Sequence, residues 1–252
     1  MLTYVIITNN GVISTGFNNR KVCTINEEYD LTEIQNNLNN NGFFTRDGKT
    51  RTLNNKIVLL QDYESENLNF SYGKFGFEME TETTTPEIRE NGIFETSKKV
   101  IVPVVLSFWI ADNGLILFNS LGDSFKKKGK SILSQYLFDN EESIVENEFN
   151  IDNITNAVED GVLNNMWTSS FSGRQDNIQG GTFNGDNVNE DVMFNLADDA
   201  TKTVIGILYD FYDAETKLKF YKSGTVQLLT KELEMNNPTM FNILRDFNEY
   251  II

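Results

Sequence analysis

The chain has 252 residues and a formal net charge of −16, and it contains no histidine. Without histidine, Ser-His-Asp and Cys-His nucleophiles, histidine general bases and histidine-ligated metal centres are excluded. The acidic balance disfavours nucleic-acid binding across the whole molecule, and a hydrophobic content of 39% is typical of a globular fold.

Cysteine usage and hydropathy indicate the compartment. Cys23 is the single cysteine, which excludes an intramolecular disulfide. No apolar run approaches the roughly 18 residues of a membrane span. Met1–Gly11 lacks the basic region and small-residue cleavage site of a signal peptide. We therefore expect a cytoplasmic protein that has no membrane contact and needs no cofactor.

The N-terminal part of the chain predicts a hairpin at Leu2–Thr8 and Val12–Phe17, one helix, a short strand at Lys56–Gln61 and one long strand. A capping-box pattern at Asp30–Glu33 predicts the start of a helix. Leu68–Glu82 alternates between apolar and polar residues, which predicts a strand whose phase changes at a bulge near Gly73 or Gly76. Thr83–Asn91 is polar and contains proline, so it is interpreted as a connection.

A hairpin followed by a helix is predicted at the centre of the chain. Val100–Phe118 is β-branched or aromatic almost throughout, and Asn113-Gly114 divides it. An Asn-Gly pair tolerates the positive φ angles of a type I′ turn, so Ile110 should face Leu117. Lys126–Phe138 then carries apolar residues at helical spacing.

The C-terminal half predicts two helices and a meander. Ile151–Leu163 has a helical apolar stripe, whereas Ser169–Asn195 is polar and glycine-rich and predicts an exposed loop with at most one strand. A closing helix should begin near Pro238. Three further segments predict consecutive strands: Thr203–Tyr212, Lys217–Lys222 and Thr225–Thr230.

These elements predict an α+β fold, with an antiparallel, meander-rich sheet and three to four helices packed on one side. The strand-turn-strand-helix order occurs at Val100–Phe138 and again at Lys217–Tyr250, which suggests a duplicated unit. Chance similarity in apolar patterning is the favoured explanation. The predicted regions are an N-terminal α+β region (1–138), an acidic helix and flexible loop region (139–200), and a meander with its closing helix (201–252) that packs with the first region as one compact domain.

Charge is unevenly distributed along the chain. Residues 131–201 carry 14 acidic side chains and one basic side chain, Arg174. A basic segment precedes them, at Lys126, Lys127, Lys128 and Lys130. Lysines and free amides at a helix N-terminus form an anion site, although the spacing is not that of a P-loop. The segment therefore predicts either a contact with phosphate or a partner, or a solvated cationic turn.

Two further features are candidates for partner contact. The acidic run contains Glu141, Glu142, Glu146 and Glu148, and it could dock on a basic protein or stand in for nucleic acid. A plain solvated face is the alternative. Trp167 precedes the predicted loop, and tryptophan is enriched among interface hot spots, although packing is the simpler interpretation.

Two carboxylate groupings could bind metal. Asp210, Asp213, Glu215 and Lys217 resemble the Glu-x-Lys pattern of metal-dependent nucleases, in which carboxylates hold Mg²⁺ and lysine orients water. A charged hairpin turn explains the same residues more simply. Asp186, Glu190 and Asp191 could ligate Ca²⁺ or Mg²⁺, but their spacing is not that of an EF-hand and an exposed acidic loop is the simpler interpretation.

Three functional hypotheses follow. The leading one is a non-enzymatic cytosolic binding or adaptor protein that contacts another macromolecule through a basic loop and an acidic surface. Its partner is expected to be a protein, with nucleic acid bound only through the local basic patch. The alternatives are a metal-dependent nuclease or phosphoesterase, and an acidic inhibitor that mimics nucleic acid.

Overall fold

The computed structural model describes residues 18–34, 36, 43–47, 52–65, 68–119, 123–174, 179–195, 197, 199–211, 214–229 and 237–252. These residues form two compact units. The N-terminal unit is built from Arg20–Glu148 with Ile251–Ile252, and the C-terminal unit from Phe149–Tyr250. Antiparallel strands dominate both units and helices accompany them, so the predicted α+β class is confirmed. Among the described helices, none combines the length and the apolar character that crossing a membrane requires.

The N-terminal unit is an antiparallel sheet with one long helix. Its strand order is β2-β3-β4-β5-β6-β1, and β7 pairs with β1. The predicted cap before residues 31–34 is present, because Asp30 accepts a hydrogen bond from the Thr32 N–H at 2.8 Å. The elements are β1 Asn18–Ile25, β2 Phe43–Asp47, β3 Thr52–Ser65, β4 Leu68–Arg89, β5 Gly92–Ala111, β6 Leu115–Asn119, α1 Asp123–Phe138 and β7 Ile144–Glu146.

The C-terminal unit contains the predicted meander. Its strand order is β12-β11-β10-β8-β9. Asn150 caps α2 by accepting a hydrogen bond from the Asn153 N–H at 3.1 Å. The elements are α2 Ile151–Glu159, β8 Met166–Ser172, β9 Gly180–Asn184, α3 Val192–Asn195, β10 Thr201–Phe211, β11 Ala214–Tyr221, β12 Thr225–Leu228 and α4 Asn237–Asp246, with 3₁₀ turns at Val188–Glu190 and Asn248–Tyr250.

The two segments that suggested a duplication each fold as strand, turn, strand and helix, namely β5-β6-α1 and β11-β12-α4. The shared layout is present, and duplication of the unit stays a prediction. Residues 169–195 contain the end of β8, all of β9 and two short helices, where a loop with at most one strand was predicted. Gly181 allows β9 to pack closely against β8, because a methyl group added to it would lie 3.0 Å from the Phe171 ring.

The hairpin at Asn113-Gly114 is present with a different register. Ile110 faces Ile116 instead of Leu117, because three residues separate the strands. Within this loop, which the structure describes in full, Gly114 alone has a positive φ, +88°. Asn113 instead accepts a hydrogen bond from the backbone N–H two residues ahead, at 3.2 Å. A three-residue loop with a left-handed glycine therefore replaces the predicted type I′ turn.

β4 and β5 form one uninterrupted ribbon. They pair without a register shift from Phe70↔Ala111 to Arg89↔Gly92, so the predicted bulge in β4 and the predicted connection at Thr83–Asn91 are both wrong. The bulge lies instead in β3, between Leu59 and Gln61. Strand pairing thus continues through a polar segment that has low local preference for a strand.

The apparent change of phase in β4 arises because both faces of the ribbon's base carry aromatic residues. Phe75 and Phe77 are buried in the core cluster beneath α1. Tyr72 lies on the opposite face, where its ring centroid is 5.1 Å from that of Trp109. Two covered faces give apolar residues at both odd and even positions, which mimics a bulge in the sequence.

Helix α1 begins at Asp123, earlier than predicted, so Lys126–Lys130 are helical and the predicted basic loop is wrong. Gly129 brings the helix close to the sheet. A methyl group added there would lie 2.5 Å from Leu106 Cδ1 and 2.9 Å from Phe77 Cε1. The apolar side of α1 is buried against these residues in one core cluster, and this burial stabilises the unit.

An ion-pair cluster joins β1, β7 and α1. A carboxylate oxygen of Glu146 lies 3.2 Å from Lys21 Nζ, and the other lies 3.3 Å from Lys130 Nζ. Lys21 is almost fully buried and also donates to the Asn147 carbonyl at 3.4 Å. Burial raises the pKa of Glu146, but the hydrogen bonds and charges of the two lysines outweigh it and the net pKa is lowered.

Replacing this carboxylate should destabilise the protein. Glu146→Gln leaves the Lys21 ammonium group buried without its counter-charge, so we expect the free energy of unfolding in urea to fall by about 2 kcal/mol at neutral pH. Because the folded-state pKa of Glu146 is lowered, its contribution is present above the unfolded pKa of about 4.3 and is lost as the pH falls through the folded value. The two proteins should therefore converge in acid.

The control is Glu148→Gln, two residues further along the chain, where the side chain is exposed. This change should alter the unfolding free energy by less than about 0.5 kcal/mol. Equal losses in the two variants, or a difference that persists in acid, would contradict the stabilising role of the cluster.

Candidate functional site

The most exposed feature of the N-terminal unit is the outer part of the β4–β5 ribbon, residues 81–100, which we call the arm. Every residue from Thr84 to Lys99 is exposed except one, which is half-buried. In the described residues, β3 pairs with β4 only as far as Phe77, and β6 pairs with β5 only from Phe108 inward. Each strand of the arm spans nine residues, which is roughly 30 Å of two-stranded ribbon.

One side of the tip of the arm is apolar. Ile88 and Ile93 face each other directly across the two strands, and their exposed fractions are 83% and 74%. Phe94 lies on the other side, 42% exposed, with the Arg89 guanidinium 5.4 Å from its ring centroid. The isoleucine pair thus leaves apolar surface in water at the end of a projection, where contact surfaces are often found.

The other side of the tip is polar and internally bonded. Glu87 accepts hydrogen bonds from Arg89 Nη2 and from Thr96 Oγ1, each at 2.8 Å, and these bonds lower its pKa. Nearer the sheet, Lys99 donates to Glu80 at 2.8 Å and lowers the pKa of that carboxyl as well. The tip therefore combines an ordered polar side with an apolar side that is open to solvent.

Two of the chain's three prolines lie in the ribbon, Pro86 in β4 and Pro103 in β5. Pro86 faces Glu95, and Pro103 faces Glu78. Positions 78 and 86 of β4 are eight residues apart, and since hydrogen-bonded and non-hydrogen-bonded pairs alternate along the ribbon, both pairs have the same hydrogen-bonding geometry. Because proline has no N–H, these are positions whose N–H would point out of the ribbon. The missing donor on each strand disfavours strand addition at both edges of the ribbon.

The C-terminal unit has a second unusual surface, created by a bulge. The pairing of β8 with β10 shifts beside Gly206, so Trp167 and Thr168 both lie opposite this glycine. A methyl group on Gly206 would lie 2.4 Å from Thr168 Cγ2 and 2.8 Å from Trp167 Cε2. Glycine is therefore required for both side chains to lie where they do.

Two lysines lie over the indole ring of Trp167. The Nζ atoms of Lys217 and Lys219 are 5.1 Å and 4.7 Å from the ring centroid. Partial burial lowers the pKa of Lys219. No carboxylate in the described part of the chain lies within ion-pair distance of either ammonium group. We call these three residues the tryptophan–lysine face.

The residues of the predicted basic segment lie in a helix and not in a loop. Lys126, Lys127, Lys128 and Lys130 all lie within α1, and Lys130 belongs to the Glu146 cluster. Lys128 is exposed, whereas the side chains of Lys126 and Lys127 lie outside the described residues. The helix N-terminus precedes these lysines, so the predicted arrangement of lysines ahead of free amides is absent from the described part of α1.

The predicted acidic surface is partly retained. Glu141, Glu142 and Glu148 are exposed, and Glu141 accepts a hydrogen bond from Ser131 Oγ at 3.1 Å. Glu146 is instead engaged by two lysines. Glu141 and Glu142 precede β7 in the chain, and Glu148 follows it.

The carboxylates of the predicted nuclease pattern lie near one hairpin. Asp210 faces Glu215 across β10 and β11 and accepts a hydrogen bond from Asn164 at 3.1 Å. Lys217 lies over Trp167, and Asp213 is outside the described residues.

The second candidate metal loop is a shallow acidic turn. Asp186, Glu190 and Asp191 are exposed and border an open depression beside Asn187, whose φ is +54°. Across all described residues, no group of three or more acidic or cysteine side chains is arranged to hold a metal ion.

The sequence does contain signals for two features that were not predicted, the tip of the arm and the bulge beside Gly206. Asn91-Gly92, at the tip of the arm, is the same turn signal that located the hairpin at Asn113-Gly114. A lone glycine inside a strand, such as Gly206, indicates a bulge or a close approach of side chains. Lys219 had no signal of its own, because its importance depends on the position of Trp167.

No protein-family description matches the chain, and no curated protein is significantly similar to it.

A substitution at Gly206 should displace the tryptophan. Gly206→Ala places a methyl group against Trp167 and Thr168, and we expect the free energy of unfolding to fall by about 1–3 kcal/mol. The indole N–H signal of Trp167 in a ¹H–¹⁵N spectrum should shift, because the two ammonium groups over the ring lose their position.

Gly185→Ala is the matched control, since the nearest heavy atom to its added methyl group is 3.9 Å away, on Val188. That variant should keep the stability and the indole signal of the parent protein. An unshifted Trp167 signal in Gly206→Ala would contradict the requirement for glycine.

Proposed function

We propose that the protein is a non-enzymatic binding protein that contacts another protein through the apolar side of the arm. The observation that supports this most is the exposed pair Ile88 and Ile93 at the end of the ribbon. Most of the arm's residues are threonine or charged, and Ile88 and Ile93 are more exposed than Phe94, which lies on the other side. An apolar cleft on a partner is the surface that this tip fits.

Burial of the isoleucine pair supplies part of the free energy that binding requires. Full burial of one isoleucine side chain contributes roughly 1.5–3 kcal/mol, so the pair contributes about 3–6 kcal/mol. This corresponds to a factor of about 10² to 10⁴ in affinity. Ordering costs little, because Glu87, Arg89 and Thr96 already bond one another on the opposite side.

Charge favours a protein over a nucleic acid as the partner. The arm, residues 81–100, carries four acidic and three basic side chains, and the whole chain has a net charge of −16. Binding to a phosphate backbone needs a basic surface, which this ribbon lacks. The exposed residues Lys128, Glu141, Glu142 and Glu148 are proposed as secondary charged contacts.

The proposal also locates the protein in the cytoplasm. Cys23 is the single cysteine and is buried in the core, which is typical of proteins from a reducing compartment.

The proposal predicts that binding depends on the tip. We expect Ile88→Ser/Ile93→Ser to lower recovery of a specific partner at least about tenfold in quantitative affinity purification from the native host. The melting temperature should stay within about 2 °C of the parent, because exposed side chains contribute little to stability.

The control is Val162→Ser/Val192→Ser, which removes two β-branched side chains of similar exposure, 71% and 72%, from the other unit. That protein should recover the partner as the parent does. A set of co-purified proteins that is the same for the tip variant, the control and the parent would overturn the proposal.

A further inference from the structure

We propose that the tryptophan–lysine face binds an extended acidic segment of a protein partner, with carboxylates at alternate positions of that segment. This surface belongs to the C-terminal unit and shares no residue with the arm. It therefore stands independently of the proposed function of the arm.

The geometry of the face is built by a bulge and a glycine. The bulge turns Trp167 towards the same face as Lys217 and Lys219, and Gly206 leaves room for the indole ring. Each lysine stem is thereby supported by an aromatic ring, which restricts where its ammonium group can lie. Pre-positioned charges lose less entropy when they bind an anion.

Among the described residues, the two lysines of this face lack an ion-pair partner. Lys21 and Lys130 share the carboxylate of Glu146, whereas Lys217 and Lys219 have no described carboxylate within ion-pair distance. Leu208 lies opposite Lys217 and Gly206 opposite Lys219, while the facing carboxylates of Glu215 and Asp210 lie one same-face position beyond Lys217 and bound the basic surface at that end. Two neighbouring ammonium groups without an ion-pair partner in the described part of the chain favour binding of an anionic group.

The spacing between Lys217 and Lys219 fits a peptide segment in an extended conformation. Lys217 and Lys219 are two residues apart on one strand, so their Cα atoms are separated by roughly 7 Å. An extended peptide repeats its side chains with the same period, and Glu or Asp at every second position presents carboxylates at matching intervals. Residues in between would point away from the face.

Single-stranded nucleic acid is the less suitable occupant. Its bases would have to stack on the Trp167 ring, which the two ammonium groups already contact. Its phosphates would also approach a chain of net charge −16. A peptide with a few carboxylates makes only local contacts, because charges beyond a Debye length of about 8 Å are screened at physiological salt.

The test uses a peptide of alternating Glu and Thr, capped at both ends, titrated into the ¹⁵N-labelled protein at about 150 mM salt. The chain has two tryptophans, so the indole signal of Trp167 is the reporter and that of the buried Trp109 is the internal control. The alternating peptide should shift the Trp167 signal and leave the Trp109 signal in place. A peptide of the same composition, with all Glu before all Thr, should bind about threefold more weakly or worse.

Variants identify the groups that bind. Lys217→Met/Lys219→Met keeps the apolar stems over the ring and removes both charges, and it should weaken binding about tenfold or more. Lys222→Met removes one exposed charge at the β11–β12 turn and should change affinity less than about twofold. The melting temperatures of both variants are compared with that of the parent to confirm folding.

Four results would overturn the proposal. The first is an unshifted Trp167 signal at saturating alternating peptide, and the second is equal weakening by Lys222→Met and by the double variant. The third is tighter binding of an oligothymidine or of inorganic phosphate than of the peptide, measured through the same signal, which would assign the face to phosphate. Salt-sensitive self-association in light scattering that competes with the peptide would assign it to a second copy of the chain instead.

Discussion

The contact between α1 and the sheet determines where the core of the N-terminal unit ends and where the arm begins. The helix has 16 residues, roughly 24 Å, whereas β4 has 22 residues, roughly 73 Å. One helix cannot cover a ribbon of that length, and the core cluster on β4 ends at Met79. The remainder of the ribbon must therefore be stable in water. Threonine-rich strands, the Lys99–Glu80 ion pair and edge prolines fit that environment, whereas the isoleucine pair at the tip does not.

Close approach at a glycine shapes both units. Gly129 lets α1 pack against Leu106 and Phe77, and Gly206 lets Trp167 lie on the face of β10. The consequences differ, because the first contact buries apolar surface in a core and the second displays an aromatic ring with two charges over it. Close packing at a glycine thus stabilises the core of the N-terminal unit and positions an exposed surface of the C-terminal unit.

Local signals in the sequence predicted most of the elements and few of the surfaces. The Asn113-Gly114 pair located the central hairpin, and apolar periodicity located α1 and α2, because these features depend on neighbouring residues. The register at Asn113-Gly114 was wrong, since loop length and not the pair alone decides it. The arm was missed because pairing with β5, a non-local interaction, keeps residues 83–89 extended despite a proline. The Lys21–Glu146–Lys130 cluster and the tryptophan–lysine face join residues that are far apart in sequence, which no spacing rule could reveal.

The central claim is that the tip of the arm docks on a protein, and photo-crosslinking in the native host tests it most directly. A benzoylphenylalanine introduced in place of Ile93 should give a discrete adduct with one partner on irradiation. The same residue in place of Val192, which is 72% exposed in the other unit, should not give that adduct. Identical adducts from both positions, or none from position 93 when the protein is folded and expressed, would contradict the account.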